Sequence, residues 1–237
     1  MTRIEVEDRI KEYPVAILPV GSCEQHGPHL PLGVDTMLAQ ALTGRISDMT
    51  GALVFPPLNF GYSWVWRNIP GTISFPVERM IGILKDAAAS VDRYGIRLLV
   101  FINGHEANGA AVKYAIREIQ ERVRVKLLGM FYPGLKEIYG ASMESPAWED
   151  GLFHADEFET SLMLAVHPEL VNMKLAVREY PVRPELFGMD NTMLGAISAS
   201  GVFGDATRAT KEKGGQMLSS FAKNAVSSIE AAFNGLR

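Results

Sequence analysis

The sequence predicts an α/β protein in which a mostly parallel central sheet lies between two layers of helices. Two observations lead to this prediction. Short apolar runs bounded by proline, glycine or polar residues are typical of buried parallel strands, and helical patterns alternate with these runs along the chain. A chain of 237 residues is long enough for one well-buried core, so we expect a single three-layer α/β/α domain over residues 1–237.

The predicted elements follow one another in a regular order. Strands are expected where apolar residues dominate, at residues 15–19, 52–56, 98–102 and 125–131. Helices are expected between and after them, at residues 36–49, 76–94, 107–123, 157–166 and 210–233. Two remaining segments, 133–151 and 180–206, carry too little pattern for a further domain and are interpreted as loops around a site.

Composition and charge exclude several classes of function. The net charge of −4 argues against nucleic acid as the main partner, because phosphate binding requires a basic surface. No apolar run reaches the ~20 residues of a membrane helix, and residues 1–12 lack the apolar segment of a signal peptide. The single cysteine, Cys23, cannot form an internal disulfide, which fits a reducing compartment. Together with the missing apolar segments, this leads us to expect a cytoplasmic protein without a membrane partner.

Polar and charged residues concentrate in three segments, and two of these follow predicted strands. Residues 21–35 come after the first strand, residues 103–109 come after the third, and residues 154–161 open a later helix. Ligands of open parallel sheets bind beyond the carboxyl ends of the strands. We therefore expect the three segments to meet at one edge of the sheet.

The first two of these segments carry a candidate set of metal ligands. Glu24 and His26 can face one cavity from an extended stretch, Asp35 follows a loop rich in glycine and proline, and His105 follows the third strand. Such mixed imidazole and carboxylate ligands suit Zn²⁺ or Mn²⁺, and two such ions activate water. Simpler interpretations remain open: Glu24 could cap a turn, Asp35 a helix, and His105 could be an ordinary hydrogen-bonded loop residue.

Several motifs resemble those of the creatininase family of metal-dependent amidohydrolases. The matching segments extend over nearly the whole chain, at residues 19–35, 71–74, 103–108, 154–161 and 201–214. The resemblance implies a creatininase-like three-layer fold, a binuclear centre with two divalent zinc or manganese ions per chain, and a homohexamer. It also implies the metal ligands Glu24, His26, His105 and, as the bridge between the two ions, Asp35.

The fifth ligand departs from the pattern of creatininase itself. That enzyme has a glutamate two residues after the histidine of the second motif, whereas this chain has Ala107 there and Glu106 in the intervening position. We therefore assign the fifth ligand to Glu159 in the third motif, with Glu157 and Glu106 as competitors.

The activity that the resemblance implies is hydrolysis of a C–N bond in a small polar substrate, an amide, cyclic amide or formamide, through a metal-bridging hydroxide. One alternative is a hydrolase that opens a cyclic ketone or lactone derived from a polyol or sugar. A second alternative is a metal-binding scaffold without activity. His154 is the candidate general acid or base, because histidine transfers protons near neutral pH, and Glu106 is expected to influence turnover.

Three residues of one loop are expected to line the substrate pocket. Trp64 and Trp66 can cover the face of a ring, and Arg67 can donate hydrogen bonds to a polar substrate. The other interpretation is that these tryptophans pack in an oligomer interface.

Overall fold

The computed structural model describes residues 1–236. Its helices and strands follow one another in the order α1 (Arg3–Glu12), β1 (Val15–Val20), α2 (Val34–Thr50), β2 (Leu53–Val54), α3 (Val77–Val91), β3 (Leu98–Asn103), α4 (Gly109–Ile119), β4 (Lys126–Phe131), α5 (Leu135–Ser142), α6 (Glu157–Val166), β5 (Arg178–Glu179), α7 (Leu194–Ile197), β6 (Gly204–Asp205) and α8 (Lys211–Asn234).

Four parallel strands form the central sheet, in the order β2-β1-β3-β4. β1 and β3 pair along their whole length, from Val15 opposite Leu98 to Val20 opposite Asn103. β4 pairs with β3 in the same direction, and the short β2 lies at the other edge. β5 and β6 form a separate antiparallel pair. The prediction of a mostly parallel sheet is confirmed.

Alternate side chains of the central strands supply two separate cores. Every residue of β1 and β3 is buried, because helices cover both faces of the sheet. Val15 and Ile17 pack with residues of α2, α6 and α8, whereas Ala16 and Leu18 pack with residues of α3 and α4. The predicted three-layer α/β/α arrangement is therefore confirmed.

The N-terminal helix α1 is an element that the sequence analysis did not predict. Its start is a capping box, in which the Thr2 side chain accepts a hydrogen bond from the Glu5 backbone and the Glu5 carboxylate accepts one from the Thr2 backbone. No residue of α1 is buried. Its apolar face is limited to Val6 and Ile10, which are only partly buried against the core, so the apolar periodicity on which helix prediction relies is weak in this segment.

Other differences concern helix limits and length. The helix predicted at residues 107–123 is α4 flanked by two 3-10 turns, Glu106–Asn108 and Gln120–Arg122. The short helices α5 and α7 lie in segments 133–151 and 180–206, for which the sequence predicts loops. Among the described residues, no helix is both long and apolar enough to cross a lipid bilayer.

Candidate metal-binding active site

Six buried imidazole and carboxylate side chains meet at the carboxyl edge of the sheet. Two of them follow β1, one lies in the first turn of α2, one follows β3, and two come from the start of α6 or just before it. In chain order they are Glu24, His26, Asp35, His105, His154 and Glu159, and none is more than 7% exposed. All six are among the site residues predicted from the sequence.

The pairing of β1 with β3 explains why distant segments converge. Val20 and Asn103 are paired at the ends of these strands, so the two loops leave the sheet side by side. The side chain of Asn103 accepts a hydrogen bond from the His105 backbone (3.1 Å) and donates one to its carbonyl oxygen (2.6 Å). Asn108 donates to the Gly21 carbonyl oxygen (3.0 Å) and thereby ties the two loops together.

Three groups of side chains at this site could hold a cation, and one of them, Glu24 with His26 and His154, includes the candidate acid–base residue. The other two share Asp35. The first of these, called the first ligand cluster, contains Glu24, Asp35 and His105. Nδ1 of His105 lies 3.0 Å from Oδ2 of Asp35 and 3.5 Å from Oε1 of Glu24. The ligand atoms of the three residues all lie within 4.8 Å of one another. The hydroxyl of Ser22 donates a hydrogen bond of 2.5 Å to Oδ2 of Asp35 and orients this carboxylate. The sequence does not predict this role of Ser22. The one indication of it is that Ser22 lies within the first polar segment, residues 21–35.

The second cluster contains His26, Asp35 and Glu159. Nε2 of His26 lies 3.3 Å from Oδ1 of Asp35 and 3.7 Å from Oε2 of Glu159, and the three ligand atoms again lie within 4.8 Å of one another. The two clusters share Asp35 but use its two oxygens separately. Such an arrangement would allow one carboxylate to contact two neighbouring cations.

Backbone carbonyl groups fix the orientation of all three imidazoles at the site. Nδ1 of His26 donates to the Glu24 carbonyl oxygen (3.2 Å), Nε2 of His105 to that of Tyr62 (3.0 Å), and Nε2 of His154 to that of Gln25 (2.8 Å). A carbonyl oxygen can only accept, so each of these ring nitrogens carries the proton. The other nitrogen of each ring faces the carboxylates and is available as a ligand or base.

The polar atoms left without partners also fit a cation. Five buried side-chain atoms of the described residues lack a hydrogen-bond partner, and two of them, Oε2 of Glu24 and Nε2 of His26, belong to this centre. An unpaired buried polar atom costs about 1–3 kcal/mol. A divalent cation would satisfy both atoms, and the nitrogen and oxygen donors suit Zn²⁺ or Mn²⁺.

Without cations, the charges of the site hold protons on two histidines. Burial alone would lower the pKa of His26 and of His105, but neighbouring carboxylates outweigh it and raise the two pKa values to about 9 and about 10. Burial raises the pKa of Glu159 to about 8, although the positive charge of His26 lowers it in part. Burial would also raise the pKa of Asp35, yet the two histidines hold it well below its ordinary value. A cation would therefore have to displace protons in order to bind.

His154 has a different electrostatic environment. Burial, followed by the charge of His26, lowers its pKa well below the ordinary value, so its imidazole is neutral. Nδ1 of His154 lies 3.7 Å from Oε1 of Glu24. The indole of Trp66 stacks on the ring of His154, with 4.7 Å between centroids and 26° between planes, and thereby fixes the position of the imidazole.

A cavity of about 380 Å³ opens next to the two clusters. It is lined by ligand residues and by mostly apolar side chains, namely Glu24, Asp35, Val65, Trp66, His105, Glu106, Ala107, Ala110, Phe131, Leu152, Phe153, His154, Glu159 and Leu194. Of the three residues expected to contact substrate, Trp66 therefore faces this cavity. Arg67 is exposed and lies over the ring of Trp64, 4.2 Å from its centroid, and neither belongs to the lining.

The competitors for the fifth ligand position lie outside both clusters. Glu106 is exposed at the mouth of the cavity. Glu157 is fully buried, but its carboxylate accepts hydrogen bonds from the backbone and hydroxyl of Ser145 (2.8 and 2.5 Å) and from Nζ of Lys213 (2.5 Å). Of the three candidates, the structure brings Glu159 to the ligand set.

Comparisons with known proteins give relatives that cover most of the chain. The family model described as "Creatininase: Creatinine amidohydrolase" matches residues 1–229. The chain is 31% identical over 225 residues to creatinine amidohydrolase of Pseudomonas putida, which covers 86% of this chain and 84% of that protein. It is 30% identical over 185 residues to 3-dehydro-scyllo-inosose hydrolase of Thermotoga maritima, and this match covers 76% of this chain and 59% of that protein.

A solved structure extends this similarity to the fold. The structure described as "Creatininase Mn" matches this chain with a TM-score of 0.84 at 30% sequence identity, and the match covers 98% of this chain and 96% of that one. A family model that spans nearly the whole chain and a solved relative with the same fold lead to one conclusion. The chain is a hydrolase that belongs to the creatininase family of metal-dependent amidohydrolases.

Proposed function

We propose that this protein binds two divalent cations, Zn²⁺ or Mn²⁺, and hydrolyses a C–N bond in a small polar amide, cyclic amide or formamide. One observation carries the proposal: the two oxygens of Asp35 face different ligand clusters, one towards His26 and one towards His105. A carboxylate shared in this way would suit a pair of divalent cations. Glu24 and Glu159 complete the two clusters.

Two bound cations would polarise the carbonyl group of the substrate and lower the pKa of water, so that attack is feasible near neutral pH. The chain supplies the other requirements. Glu24, Asp35 and Glu159 balance the positive charge, and backbone carbonyl groups hold the rings of His26 and His105 in place. Because these groups are buried, little bulk water screens their charges, and electrostatic stabilisation of the transition state is stronger.

His154 is the proposed acid–base residue. Its Nε2 donates to the Gln25 carbonyl oxygen, and its Nδ1 faces Glu24 with a free electron pair. A neutral imidazole in this position can take a proton from the attacking water and deliver it to the departing nitrogen. The stacked indole of Trp66 keeps the ring from rotating away from the reacting atoms.

The charge of the cavity favours an uncharged or cationic substrate. Among the described residues, no lysine or arginine lines this cavity. Three of its carboxylates belong to the ligand clusters, where bound cations would offset their charge, whereas Glu106 lies outside the clusters. An anionic substrate would therefore meet an unpaired carboxylate. The cavity volume of about 380 Å³ suits a small molecule, and Trp66 offers an aromatic surface for a planar ring.

A second candidate is opening of a cyclic ketone or lactone derived from a polyol or sugar. It is favoured by the 30% identity to a protein named as a 3-dehydro-scyllo-inosose hydrolase. The two candidates differ in the leaving group, because a departing nitrogen needs a proton more than a stabilised carbon or oxygen leaving group does. Loss of His154 would therefore slow amide hydrolysis more than ring opening.

We also propose a cytoplasmic homohexamer, as the family resemblance implies. Large apolar side chains in the segment before α7 are exposed, with Val182, Leu186 and Met189 at 89%, 55% and 76%, and they offer a surface for self-association. Light scattering should give the mass of six chains of 26.0 kDa. A monomer at working concentration would refute the assembly.

A substrate screen with two variants tests the proposed activity. The protein loaded with Zn²⁺ or Mn²⁺ would be assayed on formamides, cyclic amides, lactones and keto-inositols. We expect hydrolysis of a C–N bond, and we expect His154→Ala to lower kcat by about 10²–10⁴-fold without loss of metal. His167→Ala is the matched control, because His167 lies at the exposed end of α6 and pairs with Glu169.

Turnover of ketones or lactones alone would favour the second candidate. If the metal-loaded protein hydrolyses none of these compounds, or if His154→Ala keeps wild-type kcat on an amide, the proposed mechanism is wrong.

A further inference from the structure

Tyr132, the residue after β4, has a buried hydroxyl without a partner. The side chain is 1% exposed, and its ring packs against those of Phe131, Phe158 and Phe221 at centroid distances of 4.9, 5.4 and 5.1 Å. No described residue forms a hydrogen bond with the hydroxyl. Burial of a hydroxyl in this state is unfavourable, because its hydrogen bonds to water are lost and not replaced.

The backbone of the same residue is also unusual. Tyr132 has a φ of 37°, in the left-handed region that large side chains rarely adopt. Such a conformation persists only where the surrounding structure enforces it, and such residues cluster at functional sites. Two unfavourable features therefore coincide in one residue at the carboxyl edge of the sheet.

This residue adjoins the ligand clusters. Phe131, its predecessor, lines the cavity, and Phe158, against which its ring packs, precedes Glu159 in the chain. Burial, followed by the charges of Glu159 and Asp35, raises the pKa of Tyr132 well above its ordinary value. The hydroxyl thus remains protonated and can act as a hydrogen-bond donor towards these carboxylates.

Glu159 has an oxygen available for such a donor. Its Oε2 accepts a hydrogen bond of 2.5 Å from the backbone of Ala155 and lies 3.7 Å from Nε2 of His26. Among the described residues, none donates a hydrogen bond to its Oε1. A carboxylate that contacts a cation through one oxygen is commonly held by a hydrogen bond to the other.

We propose that Tyr132 is a positioning residue of the metal centre, whose hydroxyl donates a hydrogen bond to the Glu159 carboxylate, directly or through one water, when cations are bound. This inference rests on the proposed two-metal centre. The hydrogen bond holds Glu159 towards His26 and satisfies the hydroxyl. The free-energy cost of the buried hydroxyl and of the positive φ of Tyr132 is thereby offset by tighter binding of the cation at the cluster of His26, Asp35 and Glu159.

The test compares Tyr132→Phe, which removes only the hydroxyl, with Tyr180→Phe. Tyr180 is the matched control, because its hydroxyl donates to the Pro146 carbonyl oxygen (2.9 Å) and it does not line the cavity. Two quantities would be measured for each protein. One is the stepwise Zn²⁺ affinity of the metal-free protein in competition with a chromophoric chelator, and the other is the Tm of the metal-free protein.

For Tyr132→Phe we expect about 10–100-fold weaker binding of one of the two Zn²⁺ ions, with a metal-free Tm equal to or above that of wild type. For Tyr180→Phe we expect a lower Tm and unchanged Zn²⁺ affinities, because that variant removes a hydrogen bond that is already made.

Unchanged Zn²⁺ affinities in Tyr132→Phe would overturn the inference. If the metal-free Tm of this variant were also lower than that of wild type, the hydroxyl would be assigned a role in core stability. A wild-type protein that binds fewer than two Zn²⁺ ions would overturn the proposed function and this inference with it. The wild-type and variant titrations therefore distinguish the two failures.

Discussion

Substitution of Gly104 by alanine should disrupt the proposed metal centre by displacing the backbone of Asp35. Gly104 lies between Asn103, at the end of β3, and His105, and it passes close to the start of α2. A Cβ atom at position 104 would lie 2.2 Å from the carbonyl oxygen of Asp35 and 3.2 Å from Cβ of Ala39, whereas ordinary contacts begin near 3.4 Å. The obstacle is backbone, so no side-chain rotation can relieve the clash.

The size of the effect follows from this geometry. The end of β3 and the start of α2 must separate by about 1 Å, and insertion of a methyl group into a packed interior costs about 1–3 kcal/mol. We expect a loss near the upper limit, about 3 kcal/mol. A displacement of about 1 Å also exceeds the tolerance of about 0.2 Å for metal–ligand distances. Because Asp35 belongs to both clusters, both affinities should fall by at least about tenfold.

Urea unfolding of the metal-free protein would give the free energy of unfolding, and Zn²⁺ titration would give the two affinities. Gly82→Ala is the matched control, since a Cβ at this position in α3 meets no atom within 4 Å. That change should stabilise the protein by about 0.4–1 kcal/mol and leave metal binding unchanged. If Gly104→Ala is as stable as wild type and binds Zn²⁺ equally well, the packing of the site has been misinterpreted.

Three further outcomes are expected. The Tm of the metal-free protein should fall as the pH rises from about 7 to 10, because the folded pKa values of His26 and His105 lie above the ordinary 6.5. The stability that these two protonated histidines contribute to the folded state is therefore lost as the pH passes about 9 and about 10, and a rising Tm would contradict this sign. Elemental analysis should show that Glu159→Gln loses one metal ion while Glu106→Gln retains both, and the reverse result would exchange their roles. Kinetics of Arg67→Ala should give kcat/KM within about twofold of wild type, because an exposed side chain outside the cavity costs little when truncated; a tenfold loss would place Arg67 at the substrate.

The strands and the ligand-bearing loops could be predicted because their signals are local. The apolar runs at β1 and β3 stand out between glycine, proline and polar residues. The carboxyl ends of parallel strands face the same edge of a sheet, so residues such as Glu24 and His105 were expected together. The choice of Glu159 over Glu157 and Glu106 came from the family resemblance and a shared motif.

The direction of the side chains around the cavity could not be predicted from the sequence. Residues 64–66 form a 3-10 turn, in which successive side chains point in directions about 120° apart. Trp66 therefore faces His154, whereas Trp64 carries the guanidinium of Arg67 on its ring. The sequence shows that these residues are neighbours, but only the turn determines which of them points inward.

Contacts between distant segments were also beyond sequence reasoning. Tyr132 follows a strand whose pattern marks it as core, and nothing in that pattern shows that its hydroxyl lacks a partner. The close approach of Gly104 to Asp35 depends on the packing of α2 against β3. The helix α1 is a different case. Its capping signal, Thr2 with Glu5, is present in the sequence, but its apolar face is limited to Val6 and Ile10.

Metal stoichiometry is the decisive test of whether two cations share Asp35. Protein purified without chelators would be analysed for Zn and Mn by elemental analysis, beside Asp35→Asn. We expect close to two ions per chain in the wild type and fewer than one in Asp35→Asn, because Asp35 contributes an oxygen to each cluster. Fewer than one ion per wild-type chain, with no hydrolytic activity gained on addition of Zn²⁺ or Mn²⁺, would contradict this expectation.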